Sequence, residues 1–145
     1  GIRLMEWTFD PLEIRNAHLN IHKLGAIARC YLPDFYGVSS SRLQGGLPTD
    51  RLVAEWRLDS GRVKALTEGR SAPAYRIEES IPVPAAIYQW KATDETRERA
   101  LALQTGNRER FQRAFARGLA VVGYAKDAEG NGCFELGPLT QGDSL

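Results

Sequence analysis

The period of apolar and polar positions changes several times along the chain, and each change predicts an element. Leu4, Met5, Trp7 and Phe9 fall in a run of β-formers, which predicts a buried strand over residues 4–9. Asp10-Pro11 reads as a helix start: Asp10 caps free N–H groups, Pro11 has its φ preset, and Glu13 completes a capping box. Ile14, Ala17, Ile21 and Leu24 follow at helical spacing as one apolar stripe, and Gly25 is placed to end the helix in a left-handed conformation. Residues 26–31 read as a second strand, closed by Leu32-Pro33-Asp34. Residues 51–58 alternate, with Leu52, Ala54, Trp56 and Leu58 on one face and Val53, Glu55 and Arg57 on the other, the pattern of a half-buried strand.

Between the second and third strands lies a long loop, residues 32–50, with Ser39-Ser40-Ser41, Gly45-Gly46 and the aromatics Phe35 and Tyr36. Loops of that length inside a domain are usually functional or mobile. Residues 59–73 are polar and punctuated by Gly61, Gly69 and Pro73, which predicts a linker with a short helix over residues 62–67. A strand is expected over residues 75–81 and a long helix over 94–117, capped by Thr93 or Asp94. Ala100, Leu103, Phe111, Ala114 and Phe115 form its apolar side, and Gly106 marks a place for a bend. Residues 119–126 and 133–136 flank a hairpin loop of Asp127-Ala128-Glu129-Gly130-Asn131-Gly132, and the residues after Pro138 are expected to fray. No internal repeat is visible in the sequence.

Composition narrows the function classes. A chain of this size buries about 70% of its unfolded surface, enough for a real core. Its 43% apolar and 26% charged residues are those of an ordinary soluble globular protein. A net charge of +1 gives no global electrostatic case for nucleic acid or an anionic membrane, and no apolar run is long enough for a membrane span. Cys30 and Cys133 form no metal or redox motif, so a reducing cytoplasm is the expected location. Gly1 is not an initiator methionine and the chain enters a strand almost at once, which leads us to expect a removed tag or a longer parent chain.

Trp7-Thr8-Phe9-Asp10-Pro11-Leu12, Asn16-Ala17, Asn20 and Lys23-Leu24-Gly25-Ala26 resemble the fifth strand, fourth helix and sixth strand of the GNAT acyl-CoA N-acyltransferase fold. Lys23-Leu24-Gly25-Ala26 stands where that family has a Lys-x-Gly-aromatic turn, and residues 46–56 resemble the approach to the seventh strand and the strand itself. Together these segments are similar to an uncharacterised subgroup of predicted GNAT acetyltransferases. The resemblance implies an α/β (α+β mixed) fold. Residues 1–58 would be the C-terminal half of a GNAT-like mixed sheet, 59–74 a linker, and 75–145 an accessory β-α-β-β subdomain. It also implies acetyl-CoA or another acyl-CoA as co-substrate, lying in a gap between the fourth and fifth strands, with a small amine or amino acid as acceptor. The family holds the CoA pyrophosphate on an R/Q-x-x-G-x-G/A loop at a helix N-terminus. That motif is not found in these residues, and Ile21 stands near the position of the family's proton-donating tyrosine. The expectation is therefore an incomplete enzyme whose open sheet edge, at residues 4–9 and 26–31, meets a missing N-terminal half, a second chain or a homodimer partner. The alternative is a non-catalytic interaction or assembly module.

Several residues carry candidate chemistry. Asn16, Asn20 and Lys23 are expected on the helix side away from the apolar stripe, where the resemblance would bring them to CoA. Tyr31 and Tyr36 are candidates for the thiolate acid by residue type alone. His18 and His22 share a helix face but lack a third ligand nearby in sequence, so no metal is expected. Arg108, Arg110, Arg113 and Arg117 form a basic stripe interrupted by Glu109, which reads as a solvated, salt-bridged face rather than a nucleic-acid site. Trp56 and Trp90 read as packing anchors, and Cys30 as an inert thiol on a buried strand.

Overall fold

Two stretches of β-formers give the first ladder: strand β1 (Leu4–Phe9) pairs antiparallel with strand β3 (Arg51–Arg57), from Leu4↔Arg57 to Phe9↔Leu52. A computed structural model describes residues 2–37 and 46–139 of the chain. Helix α1 (Ile14–Ala17) continues as a π-helical segment (His18–Lys23) into strand β2 (Ile27–Leu32). Helix α2 (Gly61–Thr67) follows β3, then strand β4 (Glu79–Val83), helix α3 (Ile87–Ala92), helix α4 (Arg97–Ala116), and the hairpin of β5 (Ala120–Lys126) and β6 (Gly132–Gly137). The fold is mixed α/β of the α+β type: among the described residues, one open antiparallel sheet of six strands, ordered β1-β3-β2-β5-β6-β4, with four helices.

Inward positions on alternate strand residues build the core. Phe9, Leu52, Ala54, Ala28, Tyr31, Val121, Tyr124, Phe134, Leu136, Ile81 and Val83 form one cluster with Ile14, Ala17 and Ile21 of the first helical segment and Phe111 and Ala114 of α4. Helices α1, α3 and α4 thus cover one sheet face. Ile27, Val63, Ala65, Ala120 and Val122 are buried outside that cluster, and Val63 and Leu66 of α2 lie against Gly25.

The strand order contains a repeat that the sequence hides. β1-α1-β2-β3 and β4-α4-β5-β6 share one topology, in which the third strand inserts between the first and second. The two units meet at the antiparallel pair Ala28↔Val121. Each of these residues lies three positions after a helix-terminating glycine, Gly25 or Gly118, and both glycines have φ of 83°. Each strand bulges next to the meeting point, between Ala28 and Tyr31 in β2 and between Val121 and Gly123 in β5. The strand order is thus symmetric about the Ala28↔Val121 pair.

Five expectations are corrected. The first helix begins at Ile14, not at Pro11. Residues 10–13 form a turn in which Asp10 Oδ1 accepts from Leu12 N, and Glu13 accepts from the Tyr88 hydroxyl instead of closing a capping box. The second half of that helix winds wide, with Leu24 N bonding Leu19 O across five residues, and this turns Asn20 into the core side. The outward face of β3 is not solvated: Glu55 and Arg57 are buried together, with an Arg57 Nη2–Glu55 Oε1 distance of 3.1 Å. The fourth strand is displaced to 79–83 and includes Pro82. Pro82 is tolerated because β4 is an edge and its carbonyl faces outward to Asn107, so the missing N–H costs no ladder bond. The long helix starts at Arg97 and runs unbroken through Gly106, and residues 87–92 form a separate short helix. In addition, the bulge in β2 brings Cys30 to the surface rather than the interior. The strand at residues 26–31, the β5–β6 hairpin and the short helix at residues 62–67 stand within one or two residues of their expected places, α2 with Ser60 as its cap. The loop serines, Gly45 and the tail beyond residue 139 lie outside the described residues.

Candidate functional site

The first unit presents an open strand. Among the described residues β1 pairs only with β3, so its other edge carries backbone N–H and C=O groups with no strand beside them. The pseudo-equivalent edge, β4, is closed differently. Asn107 Nδ2 donates to Pro82 O at 3.1 Å, Arg110 donates to Ser80 O, and Pro82 has no N–H to offer. One edge of the sheet is thus sealed by α4, while among the described residues the other has no strand beside it.

The first helical segment, which follows β1 in the chain and packs against β5, carries the sequence-predicted contacts. Asn16 and Lys23 are exposed, whereas Asn20 is only 7% exposed and its carbonyl accepts from Ala26 N at the helix end. The wide winding also stacks His18 on His22, with ring centroids 4.8 Å apart, and sets His18 edge-on to Tyr124. Burial first, then the neighbouring His22, Lys126 and Lys23, hold the His18 imidazole below its ordinary pKa. Among the described residues no group of three His, Cys, Asp or Glu is placed to hold a metal ion.

Tyr31 sits in a buried network. Its hydroxyl donates to Asp50 Oδ2 at 2.5 Å, and Arg108 donates to both Asp50 oxygens, Nε at 2.9 Å and Nη2 at 3.1 Å. Asp34 N completes the shell of Asp50, whose side chain is fully buried. Burial, followed by the Asp50 hydrogen bond, raises the Tyr31 pKa well above the usual phenol range. A phenol so held keeps its proton for Asp50 and joins the loop after β2 to α4 through Arg108. Tyr36 is 55% exposed, packs edge-on against Phe35, and lies under the Arg51 guanidinium at 5.3 Å. Tyr31 and Tyr36 are therefore in different settings, one locked and one at the surface. Arg108 and Arg110 are engaged with Asp50 and Glu79, while Arg113 and Arg117 are exposed.

The sequence reading missed Arg62. Its guanidinium is 4% exposed and donates to Gly25 O at 2.9 Å, Ile21 O at 2.9 Å and Val122 O at 2.5 Å. It thereby bridges the two units where the strands bulge apart. A cation one turn into a short helix gives no sequence signal for such a role. The polar residues Gln104 and Asn107 in the buried stripe of α4 were also missed: Gln104 holds Pro48 O at 2.9 Å and Asn107 holds Pro82 O.

The chain matches no family model, no curated protein and no solved structure. No described helix is long and apolar enough to cross a membrane.

Proposed function

We propose that the first unit is the cofactor-flanking part of a GNAT-like, acyl-CoA-dependent N-acyltransferase acting on a small amine or amino acid. The observation that carries this reading is the asymmetry of the sheet edges. Among the described residues β1 has no strand on its outer edge, and the helix that follows it in the chain exposes Asn16 and Lys23, while the equivalent β4 edge is sealed by Asn107, Arg110 and Pro82. In this proposal acyl-CoA lies along β1. Asn16 can donate and accept to amides, and Lys23 supplies positive charge; both suit the polar chain of CoA. A further strand from a missing N-terminal half, a second chain or a homodimer partner closes the other wall and brings the phosphate-holding loop. The acceptor amine would attack the thioester carbon. The carbon–sulfur bond breaks, the acyl group passes to nitrogen, and the thiolate takes up the proton that the amine nitrogen loses.

A second reading is favoured by one observation, the sequestration of Tyr31. With its hydroxyl committed to Asp50, this candidate acid is poorly placed for proton transfer, which suits a non-catalytic assembly module. Steady-state acyl transfer by the natural full-length protein separates the two. Under the enzyme reading, Asn16→Ala with Lys23→Ala raises KM for acyl-CoA about tenfold, a loss of about 1.4 kcal/mol of binding. Absence of turnover across a panel of amines and amino acids favours the module.

A further inference from the structure

A second cleft, of about 510 Å³, opens beside Arg62. Its volume falls in the range of small-molecule sites. Leu66, Tyr75 and Ile77 supply apolar lining, and His22, Arg62, Arg70 and Glu135 supply the charge. Glu135 lies on β6 between the core residues Phe134 and Leu136, so strand alternation places it on the sheet face away from the helices that cover the core.

Two opposite charges line this cleft without a counter-charge among the described residues. Arg62 forms no ion pair with a carboxylate among the described residues; its partners are three backbone carbonyls and the Tyr75 ring, 5.3 Å from its central carbon. A guanidinium has five N–H groups, so two remain beyond those bonds. Glu135 likewise makes no ion pair or side-chain hydrogen bond among the described residues, and its carboxylate lies over Gly123, where a Cβ would meet Oε1 at 2.6 Å. Arg62 and Glu135 line the same space without reaching each other. His22 adds a second nitrogen base, and Arg70 stands in its own exposed pair with Glu68 at 2.6 Å. A ligand with one charge of each sign satisfies both groups at once, whereas a simple anion leaves Glu135 without a counter-charge and a simple amine leaves the two remaining Arg62 N–H groups without an acceptor.

We propose that this cleft binds a free α-amino acid, its ammonium against Glu135, its carboxylate toward Arg62 with His22 and Arg70, and its side chain along Tyr75 and Leu66. The inference does not rest on the acyl-transfer reading, because binding is measured without acyl-CoA. Calorimetric titration of the chain with phenylalanine, phenethylamine and hydrocinnamate tests it on the unaltered protein. Saturable binding of phenylalanine is expected, with each single-charge analogue at least about tenfold weaker, equivalent to about 1.4 kcal/mol. Glu135→Gln, at a half-buried site, is expected to keep hydrocinnamate binding and abolish the preference for phenylalanine over it. Equal binding of hydrocinnamate or of phenethylamine, no saturable binding by any of the three, or an unchanged preference in Glu135→Gln overturns the proposal.

Discussion

Arg62 and Asp50 show how single buried charges tie this fold together. Arg62 stands where β2 and β5 bulge apart, and it replaces sheet bonds with three charge-assisted bonds to carbonyls on both units. Arg62→Ala strands those carbonyls in a buried place, so we expect a loss of about 3 kcal/mol or more, read as a lowered urea midpoint. Asp50 is paired with Arg108 and accepts from Tyr31, and Asp50→Ala leaves the other members uncompensated; a loss of about 3–5 kcal/mol is expected in the same measurement. Tyr31 also sets an alkaline limit. Its folded pKa lies above the ordinary value of 10.0, because burial and then Asp50 favour the protonated phenol. Below pH 10 both states keep the proton, and the contribution is complete. As pH rises above that value the unfolded chain loses its proton first, so stability falls. Tyr124 is raised by burial in the same direction. Tyr31→Phe is therefore expected to flatten, but not abolish, the decline in stability measured by urea unfolding above pH 10.

At the scale of elements, the two helix-ending glycines provide an internal comparison. Gly25 and Gly118 are pseudo-equivalent and share φ of 83°, but their surroundings differ. A Cβ at Gly118 meets nothing within 4 Å, so Gly118→Ala carries only the left-handed strain of about 1–2 kcal/mol. A Cβ at Gly25 lies 2.8 Å from Leu66 Cδ1, so Gly25→Ala is expected to lower the thermal midpoint further than Gly118→Ala. The elements themselves were largely legible in the sequence. A run of β-formers marked β1, alternation marked β3, and Gly25 marked a helix end, because these signals are local. What was not legible depends on distant partners. Glu55 and Arg57 read as a solvated face since nothing in β3 says that they bury each other. Gln104 and Asn107 look like breaks in an apolar stripe, yet Pro48 O and Pro82 O satisfy them. The π-helical winding that turns Asn20 inward has no marker in the Ile14–Ala17–Ile21 spacing. The candidate site was legible only in part: Asn16 and Lys23 stand exposed as expected, whereas Arg62, which lines the second cleft, carries no motif.

At the scale of the whole molecule, two β-α-β-β units share one sheet about the Ala28↔Val121 pair, and they differ in how their outer edges are finished. The sealed β4 edge shows what this fold does to a strand that ends the sheet, which makes the open β1 edge the informative one. The repeat escaped the sequence because it lies in strand order, not in residue identity; the glycines that end the two helices, Gly25 and Gly118, echo it. We propose that the outer edge of β1 forms one wall of an acyl-CoA site, with Asn16 and Lys23 of the first helix among the further contacts. Backbone NMR of the protein titrated with acetyl-CoA tests that claim most directly. The account predicts saturable shifts concentrated in the amides of residues 4–9 and around Asn16 and Lys23, with β4 unchanged. Saturable binding that leaves residues 4–9 unmoved, or no saturable shift anywhere, would contradict it.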